Sequence, residues 1–238
     1  MIVTEPLIYE GDEGRFEGTL SWDDAIADPR PGVLIAPTFM GQSEFETKKG
    51  ELLAELGYVG FAIDIYGQGI RASDREEASD LMASLDSDRA LLLKRMQLAT
   101  ETIHQQSQVD DAKIAAIGFC FGGKCVLDLA RSGADILAAV SFHGIYDPPP
   151  FNDDKKIQAA ILALHGWEDP LSPPDQTVAL AEELTRRDVD WQIHMFGHTG
   201  HAFTNPKAED KEGGMFFNPL SSERSWAMMK DFLRSRFA

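Results

Sequence analysis

Lys113-Ile-Ala-Ala-Ile-Gly-Phe-Cys-Phe-Gly-Gly-Lys-Cys-Val-Leu-Asp-Leu-Ala-Arg-Ser-Gly133 is a short apolar run, a glycine-bracketed Cys120, and a helix-forming segment that closes on a glycine. Gly118 and Gly122 remove the side chains on both sides of Cys120. A chain can then turn sharply from strand to helix while holding the middle residue in a strained backbone conformation. Such a nucleophile elbow lifts the sulfur over the strand end and sets it at a helix N-terminus, where the helix dipole favours thiolate over thiol. Taken alone, Gly-x-Cys-x-Gly reads equally well as a small buried cysteine with glycines beside it for packing. The remainder of the chain has to decide between the two.

Upstream, Phe16, Gly18, Leu20 and Trp22 alternate with Arg15, Glu17, Thr19 and Ser21, the period of a half-buried strand, and the turn from Glu10 to Gly14 joins it to Ile2–Tyr9. The chain is expected to open as an antiparallel hairpin. Continuous apolar runs follow, Val33–Ala36 and Val59–Ile63, separated by a helical stretch that Ser43-Glu-Phe-Glu46 starts as a capping box. Apolar strands alternating with helices predict a mostly parallel sheet with helices on both faces. Residues 67–88 are polar and hold one short amphipathic helix, through Ala78, Leu81, Met82 and Leu85, an excursion that reads as a cover over the site. Leu92, Met96, Ala99 and Ile103 mark a longer helix leading into the elbow strand.

Beyond the elbow come the strands Ile136–Phe142, Ile157–Leu164 and Val189–Phe196, the last with Trp191, Ile193 and Met195 on one face. Ser172 is expected to cap a helix with proline at its first position. A C-terminal helix turns Trp226, Met229, Phe232 and Leu233 inward. The loops at 144–154 and 204–220 follow strand C-terminal ends, where open parallel sheets bind ligands.

With 238 residues the chain is long enough for one large core, and a single domain over 1–238 is expected. Its net charge of −17 and pI near 4.6 repel phosphate backbones and anionic lipid, so neither nucleic acid nor a membrane is expected as partner. The start, Met1-Ile-Val-Thr-Glu5, lacks the features of a signal peptide, and no apolar run has spanning length; a cytoplasmic location follows as the expectation. Cys120 and Cys125 are spaced too far apart along one turn and helix for the roughly 5.5 Å a disulfide prefers between Cα atoms. Both are expected to be free thiols, with no cysteine cluster for a metal. A monomer or homodimer is expected.

A cysteine nucleophile needs a base, and the base an orienting acid. One later strand ends in His165-Gly-Trp-Glu-Asp169-Pro, the next in Gly197-His-Thr-Gly-His201-Ala-Phe203. Cys, Asp and His, each just past a strand, follow the chain order of the α/β-hydrolase triad. His198 competes with His201 for the base, and Glu168 with Asp169 for the acid. His143 and His165 end strands and read as satisfied structural histidines, His194 and His104 as surface residues, and Cys125 as core. Phe39, Met40, Phe121, Phe151, Trp167 and Phe203 lie in loops expected to face the site and give it apolar walls.

Gly118-Phe-Cys-Phe-Gly-Gly123, His165-Gly-x-x-Asp169-Pro and Gly200-His201-Ala-Phe203 resemble the three signatures of the dienelactone hydrolase family of α/β-hydrolases, and the strand spacing fits over nearly the whole chain. The resemblance implies an α/β-hydrolase fold with Cys120 as nucleophile, Asp169 as orienting acid and His201 as base. It places the oxyanion hole at the backbone N–H groups of Phe121 and Phe39. It implies no cofactor or metal, and a small-molecule ester or lactone as substrate. Two positions depart from the family: Thr38 stands where a Glu lies near the nucleophile, and Asn205 where an Arg binds substrate. Arg71 occupies a region where the family has basic residues near its ligand. These readings predict an ester or lactone hydrolase working through a thioester on neutral, hydrophobic substrates. A promiscuous aryl esterase or phosphotriesterase, and a non-catalytic or thiol-redox protein on the same scaffold, are the alternatives.

Overall fold

A computed structural model of the chain describes residues 1–151 and 155–238, so the end of the loop expected at 144–154 lies outside the described residues. The fold is α/β, with a mixed, mostly parallel sheet of eight strands and helices packed on it. The chain divides into two compact units, Met1–Ile117 and Gly118–Ala238.

The first unit opens with the hairpin of β1 (Ile2–Gly11) and β2 (Gly14–Asp23), paired in register from Ile2 opposite Asp23 to Gly11 opposite Gly14. β3 (Arg30–Ala36) leads to α1 (Glu44–Glu55), and β4 (Val59–Ala62) then lies antiparallel to β2 and parallel to β3. Every residue of β4 is buried, as the continuous apolar run requires of an interior strand. The capping box forms as expected: Ser43 and Glu46 satisfy each other's backbone N–H groups at the start of α1. The Glu46 carboxylate also accepts the Thr38 N–H at 3.1 Å, which ties the loop after β3 to the helix. Burial raises the pKa of that carboxyl, against four hydrogen bonds that lower it.

The polar excursion holds α2 (Arg75–Ser87), whose buried Ala78 and Leu85 belong to a helix packed on α3 (Arg89–His104). Leu81 and Met82, expected on that inner face, are only partly covered. α3 buries Leu92, Met96, Ala99 and Ile103 as its periodicity predicts. β5 (Val109–Phe119) begins five residues before the apolar run at Ile114, because its polar first residues still extend the strand.

In the second unit α4 (Phe121–Arg131) is buried along its whole length and packs on β6 (Ala138–Phe142). β6, β7 (Ala160–Gly166) and β8 (Trp191–Phe196) are parallel neighbours. β8 ends the strand order among the described residues, and its Met195 is exposed rather than inward-facing. Between β7 and β8 lies α5 (Pro174–Arg186), with Pro173 at the cap position. Ser172 does not cap it. Its hydroxyl instead donates to the Gln176 side chain at 3.0 Å, because two consecutive prolines push the helix start one residue later than the Ser-Pro pair suggests. The two-residue strands β9 (Glu209–Asp210) and β10 (Met215–Phe216) pair within the long loop after β8, and α6 (Pro219–Phe237) closes the chain with Met229, Phe232 and Leu233 buried.

Candidate active site

Cys120 stands between the last residue of β5 and the first of α4 with φ 55° and ψ −117°, a conformation non-glycine residues avoid. The glycines make it possible. A Cβ on Gly118 would lie 2.0 Å from the Gly122 carbonyl oxygen, so the strand can approach the first helical turn only where the side chain is absent. The Cys120 N–H is shared between the Phe142 carbonyl at 3.0 Å and Nδ1 of His143 at 3.1 Å, and the Cys120 carbonyl accepts the Gly123 N–H. The cysteine therefore takes the helix N-cap position, where its sulfur meets the positive end of the helix dipole. Cys125, one turn into α4, is fully buried core.

The loops that end β7 and β8 are joined by backbone hydrogen bonds. Trp167 N–H donates to the Phe196 carbonyl and Glu168 N–H to that of Thr199. On this frame Nδ1 of His201 sits 2.8 Å from Oδ2 of Asp169, and both side chains are buried. The other carboxylate oxygen of Asp169 accepts the Leu171 N–H at 2.8 Å, which fixes the carboxylate's rotation. The His201 backbone is held from the far side, donating to Gly214 and accepting from Phe216.

Burial disfavours charge on the His201 imidazole, but negative charge at the Cys120 sulfur and the Asp169 carboxylate outweigh it and raise its pKa to about 10. His201 is thus the histidine brought to both Cys120 and Asp169. His198 is not: its side chain is 99% exposed, with Glu168 3.5 Å away as its acidic neighbour. His165 is buried with Nδ1 at 3.1 Å from the Tyr146 hydroxyl, and burial lowers its pKa, so it is neutral near pH 7. His143 is the residue whose part the sequence understates. It reads as a satisfied strand-end histidine, yet its ring lies 5.0 Å from that of His201 as well as accepting from Cys120. The one sequence signal is its place just past a strand end, shared with Cys120, Asp169 and His201.

The expected wall residues divide. Thr38, Phe39 and Met40 are partly exposed in a turn closed by the Gly41 N–H on the Thr38 carbonyl, with the Tyr66 hydroxyl donating to the Phe39 carbonyl at 2.6 Å. Trp167 is exposed. Phe121 is buried in the first turn of α4. Phe203, expected to face the substrate, is instead fully buried against the rings of His143 and Phe196. Phe151 is likewise placed elsewhere: it lines a cavity of about 150 Å³ with Tyr146, Pro148, Leu180 and Glu183, which Cys120, Asp169 and His201 do not border. Arg71 has its guanidinium on the Gln42 side-chain oxygen and the Glu17 carbonyl, both at 2.7 Å, and 3.5 Å from the Asp64 carboxylate. Among the described residues no group of three or more His, Cys, Asp or Glu is arranged to hold a metal ion, and no helix is long and apolar enough to cross a membrane.

The model of the dienelactone hydrolase family matches residues 16–237. The solved structure of m3DLH is similar with a TM-score of 0.94 and 35% identity, covering 100% of this chain and 99% of its own. P91, a dienelactone hydrolase-like promiscuous phosphotriesterase from metagenomic libraries, has a TM-score of 0.95 and 34% identity with the same coverage. A protein of Aquifex aeolicus that carries the provisional name carboxymethylenebutenolidase is 25% identical over 218 residues, 88% of this chain and 91% of its own.

The raised pKa of His201 has a consequence for reactivity. With negative charge at the sulfur and at Asp169 the imidazolium is present below the raised value and is lost only as pH rises through about 10, so a thiolate at Cys120 would stay paired with a cation across the neutral range. Iodoacetamide should therefore alkylate Cys120 at a rate that changes little between about pH 6.5 and 8.5. A rate climbing about tenfold per pH unit over that interval would mean that the sulfur rests as a thiol.

Proposed function

We propose, from the premise that this chain belongs to the dienelactone hydrolase family, that it hydrolyses esters or lactones by a cysteine nucleophile through a thioester acyl-enzyme. The observation that carries the reading is the buried Asp169–His201 hydrogen bond of 2.8 Å beside a cysteine in the strained turn between strand and helix. An α/β-hydrolase of this family supplies the coarse reaction class; the residues supply the route.

Cys120 Sγ attacks the acyl carbonyl as the thiolate. The carbonyl oxygen takes up negative charge, and the N–H groups of Phe121 and Phe39 are assigned to stabilise it. As the tetrahedral intermediate collapses, the carbon–oxygen ester bond breaks and His201 Nε2–H protonates the departing alkoxide. The imidazole, now neutral, takes a proton from water while that water attacks the thioester. Collapse of the second intermediate releases the carboxylic acid, with the thiolate and imidazolium restored. Asp169 stays ionised throughout and holds the His201 proton on Nδ1. The single domain over 1–238 is part of the same reading.

The substrate is proposed to be neutral and hydrophobic. A carboxylate removed from water needs a fixed cation, and Asn205 stands where the family resemblance leads one to expect an arginine. Arg71, the other candidate anchor, already has its guanidinium occupied by Gln42, Glu17 and Asp64. The likeness to P91 favours a second activity on neutral phosphotriesters, whose developing phosphoryl oxyanion the same N–H groups would accept.

Kinetics on a neutral aryl ester test the assignments. Cys120→Ala and His201→Ala should each lower kcat by on the order of 10⁵-fold or more, and Asp169→Asn by on the order of 10³ to 10⁴-fold. Cys125→Ala and His198→Ala should leave turnover within about threefold of wild type. Turnover that survives Cys120→Ala would remove the cysteine from the chemistry, and an inert wild type would favour a redox or binding role.

Substrate charge is tested separately by comparing kcat/KM for neutral aryl esters, phosphotriesters and a carboxylate-bearing lactone on the wild type and on Arg71→Ala. The neutral esters should be preferred by both proteins. A preference for the carboxylated lactone that disappears in Arg71→Ala would refute the proposal of an uncharged substrate.

A further inference from the structure

The catalytic reading leaves one buried imidazole at the centre of the site without a task. His143 follows β6 with φ 37° and is 1% exposed, so its backbone is itself in the left-handed region. Its Nδ1 accepts the Cys120 N–H at 3.1 Å, and its Nε2 lies 2.7 Å from the hydroxyl of Thr204, three residues past His201. Its ring meets His201 edge-on at 5.0 Å and Phe203 at 5.1 Å. One side chain therefore touches the backbone of the elbow, the loop of the histidine and the histidine ring.

We propose that His143 is a positioning residue that keeps Cys120 and His201 in register, and that it does so as the neutral tautomer protonated on Nε2. This inference rests on the catalytic reading above and deepens it. The tautomer follows from the donors. A backbone N–H can only donate, so Nδ1 must offer its lone pair, and the remaining ring proton is on Nε2, where the Thr204 oxygen accepts it. Thr204 is 3% exposed and so holds its hydroxyl in a dry, fixed place.

The arrangement explains why an imidazole stands here. The Cys120 N–H donates to the Phe142 carbonyl at 3.0 Å at the point where the strand gives way to the helix. A second acceptor on the same N–H opposes relaxation of φ at Cys120 toward ordinary values. The same ring, through Thr204, registers any shift of the His201 loop. A proton on Nδ1 would set two N–H groups against each other and release the elbow.

Glycine and asparagine both tolerate a left-handed backbone, so His143→Gly and His143→Asn compare loss of the acceptor with its retention at equal backbone ease. With a p-nitrophenyl ester, His143→Gly should lose on the order of 100-fold in kcat with KM within about threefold, the penalty of a misaligned nucleophile. His143→Asn, whose side-chain oxygen stands near the Nδ1 position, should recover at least about tenfold of that loss. Thr204→Val should lower kcat about tenfold alone and have no further effect in the His143→Gly background. Nitrogen NMR of ¹⁵N-histidine-labelled wild type, assigned by its absence in His143→Asn, should show Nε2 protonated and Nδ1 bare at pH 7.

A proton on Nδ1, or equal kcat for the Asn and Gly variants, would overturn the inference, as would independent Thr204 and His143 effects. Thermal melts of all variants separate unfolding from misalignment: a kcat loss that vanishes at a temperature where each variant is fully folded would also overturn it. Survival of turnover in Cys120→Ala would bring down the catalytic reading instead. An essential Cys120 with unaffected His143 variants would bring down this inference alone.

Discussion

At Cys120 the chain must end a buried strand and begin a buried helix within one residue, at φ 55° and ψ −117°. Such a conformation costs on the order of 1–3 kcal/mol and persists only where its surroundings over-determine it. They do so here from several directions. The absent side chain of Gly118 lets the strand end meet the backbone of Gly122, the Cys120 N–H is gripped by two acceptors, and its carbonyl begins the α4 hydrogen-bond ladder. Beside it, Phe119 and Phe142 stack with ring centroids 4.6 Å apart and pack the strand end. The thiol side chain is thereby aimed by the backbone rather than by its own packing, which is how a small side chain acquires a fixed direction.

Charge is the second constraint. A buried imidazolium is unfavourable by itself, and in this site burial is the largest influence on His201, opposing its charge. What reverses the balance is the pair of acidic partners, the Cys120 sulfur and the Asp169 carboxylate held on Nδ1. Asp169 contributes because it is itself held, by the Leu171 N–H on one oxygen and the imidazole on the other. The backbone bonds between the loops after β7 and β8 keep Asp169 and His201 together even though 32 residues of chain separate them. The net charge of −17 adds no long-range attraction for an anionic substrate, which agrees with the absence of an uncommitted arginine at Arg71.

Much of this is legible in the sequence. Period-two alternation marked the hairpin, continuous apolar runs the interior strands, and glycine bracketing the elbow, since each reflects a local backbone demand that few residue types meet. Position just past a strand end singled out Cys120, Asp169 and His201. The Gly200-His201-Ala-Phe203 context favours His201 over His198 in the sequence, and the structure agrees, with the His201 backbone held by Gly214 and Phe216 and the His198 side chain in solvent. Side-chain direction was the least legible property. Phe203 and Phe151 lie in the expected loops, but one ring turns into the core and the other toward α5, outcomes set by tertiary packing. The hydrogen bond from Cys120 to His143 spans 23 residues and involves a backbone donor, which no side-chain pattern records.

The central claim is that Cys120 carries the acyl group through a covalent intermediate. Intact-protein mass spectrometry after rapid acid quench of the protein with an activated aryl ester measures this directly, with peptide mapping to locate the adduct. The account predicts a mass increase equal to one acyl group, located on Cys120, labile to hydroxylamine and absent from Cys120→Ala. Turnover of the same ester with no adduct on Cys120 at any quench time, or with the acyl group on another residue, would contradict it.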